Sequence, residues 1–311
     1  MDLSRAITEP AVRLIDFHNS FNRNIKISFG ALEVVATSND IREGELVSLP
    51  TGSEPWGRAT RWRSLEGPVK EAVSFLAEVG LVRATAAFED YLTGAKAEFD
   101  SAGLLAHDAG STGSSALRRL DTVLGIPRQD IEDVVRMVEF FTVARNCVVH
   151  RSNRASEQLA SLRADPILAD TVARWPKRVG KWVVTLPDVV EGKPVGWRPR
   201  HAIMASDAYY RCAIALDRKL VTLLDEGGLV RMAAHWTFFA DPPVTCPAKL
   251  DASTMVRTQI MQRYRVRSAS LADTIAALRA VGKWDGVLTA FNKLYPKGPE
   301  TSPARKRRNR R

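Results

Sequence analysis

Apolar residues recur at intervals of three and four between Ile131 and Val148. Of the features in the sequence, this one places the tightest limit on the fold. The residues of this stripe are Ile131, Val134, Val138, Phe141, Ala144 and Val148. Such a spacing places side chains on one face of an α-helix. Pro127 lies just before the stripe and suits the first turn of a helix, where its missing N–H costs nothing. We therefore predict a long helix with one buried face that ends near residue 150.

Similar spacing predicts several other helices. One runs from about Pro68 to Phe99, with Val69, Val73, Leu76, Leu81, Phe88 and Leu92 recurring at near-helical intervals. Another covers about 202–224, with Tyr209, Cys212, Leu216, Leu220 and Leu223 on one side, and is expected to stop at Asp225-Glu226-Gly227-Gly228. Ser270 and Asp273 resemble a capping box for a helix over Leu271–Ala280. A last short helix is predicted over Asp285–Leu294.

The segments around these helices predict a mixed architecture. Ile27–Val47 contains short β-like runs, and Lys181–Leu186 is expected to pair with Val195–Trp197 as a small β-hairpin across Glu191-Gly192. Residues 101–115 have the composition of a loop, and a short helix is expected at 116–124. The predicted fold class is therefore mainly α. It consists of an antiparallel helical bundle at 67–226 with a β-hairpin insertion, a mixed extension at 1–66, a C-terminal helical extension at 227–300 and a basic tail at 301–311.

The charge of the chain favours an anionic partner. The formal net charge is +10, and six of the seven residues from Arg305 to Arg311 are Lys or Arg. Such a run is either a disordered, solvated tail or a sequence-independent contact with phosphates. Cysteines at 147, 212 and 246 fit neither a disulfide framework nor a zinc site, which favours a reducing, cytoplasmic location. We expect no signal peptide after Met1 and no membrane span.

The strongest chemical signal is the sequence Arg145-Asn146-Cys147-Val148-Val149-His150, at the end of the predicted long helix. Arg is a permanent cation that can hold a phosphate through two parallel hydrogen bonds. His takes or gives a proton near neutral pH. RNA supplies its own nucleophile, the 2′-hydroxyl, so a base, a cation and an acid suffice to cut it without a metal. The alternative interpretation of His150 is a helix C-cap that complements the helix dipole.

The spacing within the motif sets its geometry. Asn146 and His150 are four residues apart, so they share a helix face and can hydrogen-bond, which would decide which imidazole nitrogen carries the proton. Arg145 and His150 are separated by about 140° around an ideal helix. They can act together through the long Arg stem, through a loosened helix end, or across two facing helices of a dimer.

Arg145–His150 resembles the R-N-x-x-x-H form of the HEPN domain signature. The helix that ends in Ala87-Phe88-Glu89-Asp90-Tyr91-Leu92 is similar to the first helix of these domains, and the later helix near 202–224 suits the closing helix of the bundle. The chain looks most similar to the RiboL-PSP-HEPN type, known from bacterial defence and stress systems, over about residues 67–226. The resemblance implies a HEPN-like all-α bundle, a homodimer with facing motif helices, and RNA cleavage that needs neither a metal nor another cofactor.

Carried over to this chain, the resemblance implies that Arg145 contacts the scissile phosphate and that His150 acts on the 2′-hydroxyl or the leaving group. Asn146 would be the polar helper, and the product would be a 2′,3′-cyclic phosphate. Many relatives follow the His with Asn and then Gly, whereas here two cations, Arg151 and Arg154, follow and are expected to bind RNA.

The resemblance thus predicts an endoribonuclease of anti-phage defence or of a toxin–antitoxin pair, with RNA as substrate and an antitoxin or regulatory protein as a further partner. The alternative is a non-catalytic HEPN-type module that binds RNA or a protein.

Other reactive side chains carry weaker signals. Glu89 and Asp90 either raise the basicity of His150 or, as we favour, form an exposed helix face. The remaining histidines, His18, His107, His201 and His235, show no metal-ligand spacing. Cys147 is predicted to pack in the core. Trp182 and Trp197 lie in a basic region and are able to stack bases, but packing of the hairpin against the bundle is the favoured interpretation.

Overall fold

The computed structural model describes residues 2–37, 47–48, 61–62, 64–102, 128–175, 185–243, 250–267 and 270–295. These residues are mainly helical, as predicted. The helices are α1 (Glu9–Thr37), α2 (Glu66–Ala102), α3 (Arg128–His150), α4 (Glu157–Ala164), α5 (Pro166–Arg174), α6 (Pro199–Ala234), α7 (Ala252–Arg263), α8 (Leu271–Ala280) and α9 (Trp284–Leu294), with a π-helix at His235–Phe239. Strands β1 (Val47–Ser48) and β2 (Arg61–Trp62) pair antiparallel. Among the helices of the described ranges, none combines the length and the apolarity needed to cross a membrane.

The chain divides into two compact units. The motif unit comprises Leu14–Glu89 and Gln129–Cys212, and the terminal unit comprises Met1–Arg13, Asp90–Arg128 and Ala213–Arg311. Several predicted features lie outside the described residues: the loop beyond residue 102, the short helix at 116–124, the hairpin arm at 181–184 with Trp182, His107, Cys246 and the basic tail.

The predicted β-like character of Ile27–Val47 is wrong over its first part, because α1 continues as a helix to Thr37. The buried residues of α1 alternate in steps of three and four: Ala11, Leu14, His18, Phe21 and Ile25. This stripe nucleates the helix, and each further residue then adds a hydrogen bond at little cost. Ile27, Val34 and Val35 are residue types that favour β-strands. This propensity depends mostly on packing context, and it does not outweigh the cooperative formation of the helix.

The long helix that carries the motif is confirmed as α3. Ile131, Val138, Phe141 and Ala144 are buried as predicted, and Met137, Phe140 and Cys147 are buried with them. Helix α2 has an equally regular stripe, in which Ala77, Leu81, Ala84, Phe88, Tyr91, Ala95 and Glu98 are all buried. Because both helices bury side chains on broad faces, the backbone that carries the motif is firmly positioned.

The predicted hairpin is not observed in its described arm, since Val195–Trp197 forms no strand. Pro194 instead makes a single antiparallel bridge with Arg154. The turn across Glu191-Gly192 is present, because Lys193 N–H donates to Val190 O at 3.1 Å and Gly192 has φ +72°. Glycine suits this position because a positive φ costs it nothing.

The predicted stop of the helix at Asp225–Gly228 is only a break, because α6 resumes and continues to Ala234. Asp225 leaves the helical conformation with φ 52°, and its Oδ1 accepts a hydrogen bond from Gly228 N–H at 3.0 Å. Asp225 therefore acts as an N-cap for the second half of the helix. The residues that follow are fully buried, so packing holds this half in place: Leu229, Val230, Met232 and Ala233.

Helices α8 and α9 begin where the sequence predicts, whereas α7 was not predicted. Ser270 accepts a hydrogen bond from Asp273 N–H at 3.0 Å and caps α8, and α9 begins at Trp284, one residue before the predicted start. Within the terminal unit, Glu98 is fully buried and accepts hydrogen bonds from Arg263, Tyr264 and Trp236. A buried carboxylate is tolerated when cations and hydrogen-bond donors surround it in this way.

Candidate functional site

The guanidinium group of Arg145 occupies a partly sheltered position in the motif unit. Its side chain is 25% exposed, and its Nη2 lies 3.6 Å from Glu89 Oε2 on α2. Nη1 donates a hydrogen bond to Asn146 Oδ1 at 2.9 Å. Nε is buried and makes no hydrogen bond within the described ranges. The cation is therefore held by two neighbours and retains donors for an anion.

Glu89 thus contacts Arg145, which corrects our view of it as part of a merely solvated face. Asp90, the next residue, belongs to the terminal unit and lies 3.5 Å from Arg13 there. The Glu89 side chain is 51% exposed. Its negative charge orients the Arg145 guanidinium and at the same time competes with any phosphate for it.

A buried hydroxyl network supports this pair. Tyr209 of α6 is fully buried, and its OH shares a hydrogen bond with Thr85 Oγ1 at 2.9 Å and another with Thr142. Thr85 is one turn before Glu89 on α2, and Thr142 is one turn before Arg145 on α3, so each lies on the same side of its helix as a member of the pair. Burial raises the pKa of Tyr209 to about 12, so the phenol stays neutral and positions the two helices.

His150 is the last residue of α3 and is exposed. Within the described part of the chain it has no hydrogen-bond partner. The expected bond between Asn146 and His150 is not formed within the described residues, and Asn146 Oδ1 accepts a hydrogen bond from Arg145. The helix is regular through His150, so Arg145 and His150 point about 140° apart. One α3 helix therefore does not bring both groups to one phosphate.

The helix ends immediately after the motif through two residues in the left-handed conformation. Ser152 has φ 49° and Asn153 has φ 62°. Both Arg151 N–H and Asn153 N–H donate to Cys147 O at 3.1 Å. Ser152 takes the position where a helix C-terminus usually has glycine, and Asn153 follows it with the residue type that best tolerates this conformation after Gly.

Asn153 is a structural residue that the sequence patterns did not predict. Its Nδ2 donates to Glu78 Oε1 at 2.9 Å and to Val195 O at 3.0 Å, and its Oδ1 accepts from Trp197 Nε1 at 2.8 Å. The signal that could have revealed it is an Asn three residues after the predicted helix end near residue 150. This side chain ties the end of the motif helix to α2 and to the 185–198 segment.

The two predicted RNA-binding arginines are both exposed and differ in their contacts. Arg154 Nη1 donates to Gly192 O at 3.1 Å. Arg151 has no hydrogen bond or ion pair from its side chain within the described ranges. Arg151 is therefore the more available cation beside His150.

The remaining candidates are structural. Cys147 is 1% exposed and its thiol donates to Ser156 Oγ, in agreement with the predicted core role. Trp197 is 2% exposed and packs edge-on against Phe140, so packing rather than base stacking is its role. In the described ranges, no group of three or more His, Cys, Asp or Glu side chains is arranged to hold a metal ion.

Two buried histidines also pack rather than react. His18 bonds to Ser206 Oγ at 2.9 Å and to Asn22 at 3.1 Å. His201 Nδ1 accepts from Arg198 N–H at 3.0 Å, which is the backward bond of a capping box at the start of α6. Burial, assisted by the positive charge of Arg200, lowers the pKa of His201 to about 3.

Comparison with known protein families, with characterised proteins and with solved structures finds no match for this chain. The resemblance to HEPN domains therefore stays a prediction, which rests on the motif and the order of the helices.

Proposed function

We propose that this protein is a metal-independent endoribonuclease of the HEPN type. The observation that carries the proposal is the placement of the motif: the last two turns of α3 expose Asn146 and His150, and the same turns hold a partly sheltered Arg145 guanidinium. A cation in a sheltered site stabilises developing negative charge more strongly than one in open water. A solvent-exposed imidazole at a helix end is accessible to a flexible RNA strand.

In the proposed reaction, the 2′-oxygen attacks the adjacent phosphorus while His150 removes its proton. The bond from phosphorus to the 5′-oxygen breaks, and an acid protonates that leaving oxygen. The products are a 2′,3′-cyclic phosphate and a 5′-hydroxyl. Arg145 would bind the phosphate oxygens and stabilise their charge in the transition state, and general acid–base help would contribute roughly 10²–10⁴-fold.

The angle of about 140° between Arg145 and His150 favours a homodimer as the active form. A second α3 facing the first would place the His150 of one copy near the Arg145 of the other and would supply the missing acid. Val149 lies between Arg145 and His150 around the helix and is 47% exposed. This face of α3 therefore includes an apolar side chain that a second copy could contact. We propose that this face of α3 pairs with itself, and that the enzyme acts in bacterial defence or in a toxin–antitoxin pair.

One observation favours the second candidate, a non-catalytic module that binds RNA or a protein. Arg145 is already engaged by Glu89 and Asn146, and His150 has no neighbour within the described ranges that orients its ring. In a pure binding module these groups would contact phosphate without transferring protons.

The test is cleavage of labelled transfer RNA and of a mixed RNA pool by the full chain in EDTA. His150→Ala and Arg145→Ala, in which residual cleavage would reveal a contaminating nuclease, are compared with Arg218→Ala, a control that removes an exposed arginine outside the motif. Cleavage that ends in a cyclic phosphate, persists in the control and is lost in both motif variants supports the proposal. Equal cleavage by all four proteins would refute the site. A salt-sensitive mobility shift without cleavage would favour the binding module.

A further inference from the structure

A cavity of about 320 Å³ in the terminal unit is lined by Arg5, Met261, Arg265, Val266 and Arg267. The three arginines are exposed, and none forms an ion pair or side-chain hydrogen bond with the described part of the chain. Two other arginines of this unit are paired: Arg263 with Glu98 and Glu9, and Arg13 with Glu9 and Asp90. The cavity therefore concentrates uncompensated positive charge.

Backbone contacts bring Arg5 to this cavity. Ala6 N–H donates to Leu3 O at 3.0 Å and closes a turn around it. Ile7 N–H donates to Tyr264 O at 3.0 Å, and Thr8 N–H donates to Asp217 Oδ2 at 3.0 Å. The bond of Ile7 holds the N-terminal segment against the end of α7, and the bond of Thr8 ties it to α6, so the position of Arg5 does not depend on its own side-chain contacts.

The other two arginines are placed by the end of α7. Tyr264 is fully buried and its OH donates to Glu98 Oε2 at 2.8 Å, which anchors the backbone just before them. Val266 is 1% exposed, whereas Arg265 and Arg267 on either side are exposed. A buried residue between two exposed ones directs both arginines to the accessible side of the segment.

Arg265 adopts a conformation that an arginine rarely takes. Its φ is 54°, in the left-handed region where helix ends usually carry Gly or Asn. A side chain with a Cβ is sterically disfavoured there, and such outliers cluster at binding sites. Arg265 therefore occupies a position that Gly or Asn would take with less strain.

Asp2 is the acidic residue nearest to Arg5 in sequence, and it interacts with one of the three arginines only through charge. Asp2 is exposed, and its pKa is lowered mainly by hydrogen bonds from Ser4 and only to a lesser extent by the charge of Arg5. The three positive charges consequently repel one another until an anion binds, which favours a ligand with more than one negative charge.

We propose that this cavity binds the phosphate group of a small organic phosphate in the size class of a nucleoside phosphate. Guanidinium groups match phosphate oxygens with paired, charge-assisted hydrogen bonds. The volume lies at the lower end of the roughly 300–1,000 Å³ typical of small-ligand pockets. Met261, 39% exposed, supplies a polarizable apolar wall for the organic part. The site lies in the terminal unit and shares no residue with the proposed ribonuclease site.

Calorimetric titration of the full chain tests the proposal with AMP, ATP, ribose 5-phosphate and inorganic phosphate, and with adenosine as the ligand that lacks the phosphate. We expect at least one organic phosphate to bind at least about tenfold more tightly than adenosine and inorganic phosphate. Arg265→Asn and Arg267→Gln should each weaken that binding about tenfold or more, as expected for loss of a charge-assisted bond. Arg279→Gln removes an exposed arginine outside the cavity and should change the affinity for the organic phosphate less than twofold.

Arg265→Gly separates binding from folding. Glycine relieves the left-handed conformation, so the melting temperature should stay equal or rise while binding falls. The proposal is overturned if no phosphate binds, or if the variants bind as well as the parent chain. It is also overturned if RNA carrying a 5′-hydroxyl binds through these arginines more tightly than every small phosphate, because the surface would then serve a nucleic-acid backbone.

Discussion

Glu89 on α2 and Arg145 on α3 form an ion pair, with Oε2 3.6 Å from Nη2. The pair is half-exposed, so its contribution to stability is small, about 1 kcal/mol or less. Its proposed value is positional, since it holds the guanidinium that would receive a phosphate. We therefore expect Glu89→Gln to lower kcat for RNA cleavage about tenfold while the free energy of unfolding changes little.

The measurement for Glu89→Gln is single-turnover cleavage of a labelled RNA beside urea denaturation. Glu71→Gln, an exposed carboxylate on the same helix, is the matched control and should leave both values unchanged. Faster cleavage by Glu89→Gln would show that Glu89 restrains Arg145 by competing with phosphate, which contradicts the positioning role.

The second prediction concerns Tyr209 and the stability of the fold. Tyr209→Phe keeps the buried ring stacked on Phe88 but removes the hydroxyl shared by Thr85 and Thr142. Leaving buried hydroxyls without this partner should lower the free energy of unfolding by about 1–2 kcal/mol. Urea denaturation measures it, and Tyr210→Phe, whose hydroxyl makes no hydrogen bond with a described residue, should cost less than half as much. Equal costs would mean that the network does not stabilise the motif unit.

Local sequence signals predicted those helices whose ends are set by one capping residue or by one stripe of apolar residues. The stripe of α3 and the Ser270 cap of α8 are of this kind, because every residue involved lies within one helix. Helix α1, in a region predicted as a mixed extension, and the resumption of α6 after Asp225 were missed. Both depend on cooperativity and burial that outweigh a local β-preference or a Gly-Gly pair.

The candidate site was likewise predicted only in part from local sequence signals. Its residue types were visible in Arg145–His150, but their partners come from other helices: Glu89 from α2 and the hydroxyl of Tyr209 from α6. Such contacts are set by helix packing, which a single sequence does not reveal. The proton-transfer role of His150 stays a prediction, because nothing within the described ranges orients its ring.

Asn153 combines two roles that a pair of variants separates. Asn153→Ala loses three side-chain hydrogen bonds and also strains the left-handed backbone, so we expect a loss of about 2–4 kcal/mol. Asn153→Gly loses the same bonds but accepts a positive φ, so it should be about 1 kcal/mol less destabilising. Denaturation followed by tryptophan fluorescence measures both. If Ala were tolerated as well as Gly, the left-handed conformation would not be the constraint.

The final prediction concerns acid stability, through His201. Burial lowers its pKa to about 3, whereas an unfolded histidine titrates near 6.5. Between these values the unfolded chain binds more protons than the folded chain, so the free energy of unfolding falls as pH falls from about 6.5 towards 3. The slope from this residue is at most about 1.4 kcal/mol per pH unit. Asp217 has the opposite effect on the pH dependence. Burial raises its pKa to about 6, so between about pH 6 and 3.8 the folded chain binds more protons than the unfolded chain. The free energy of unfolding from this residue therefore rises as the pH falls through that range.

The two contributions are separated by comparing variants across pH. His201→Gln keeps an acceptor for Arg198 N–H at the start of α6 without a titrating group, since Gln also forms a capping box. Urea denaturation at intervals from pH 7 to 4 should show a flatter acid limb for His201→Gln than for the parent chain. Asp217→Asn should show a steeper one, because the opposing contribution is removed. An unchanged slope in His201→Gln would mean that this imidazole is protonated in the folded protein and that its buried cap does not depress the pKa.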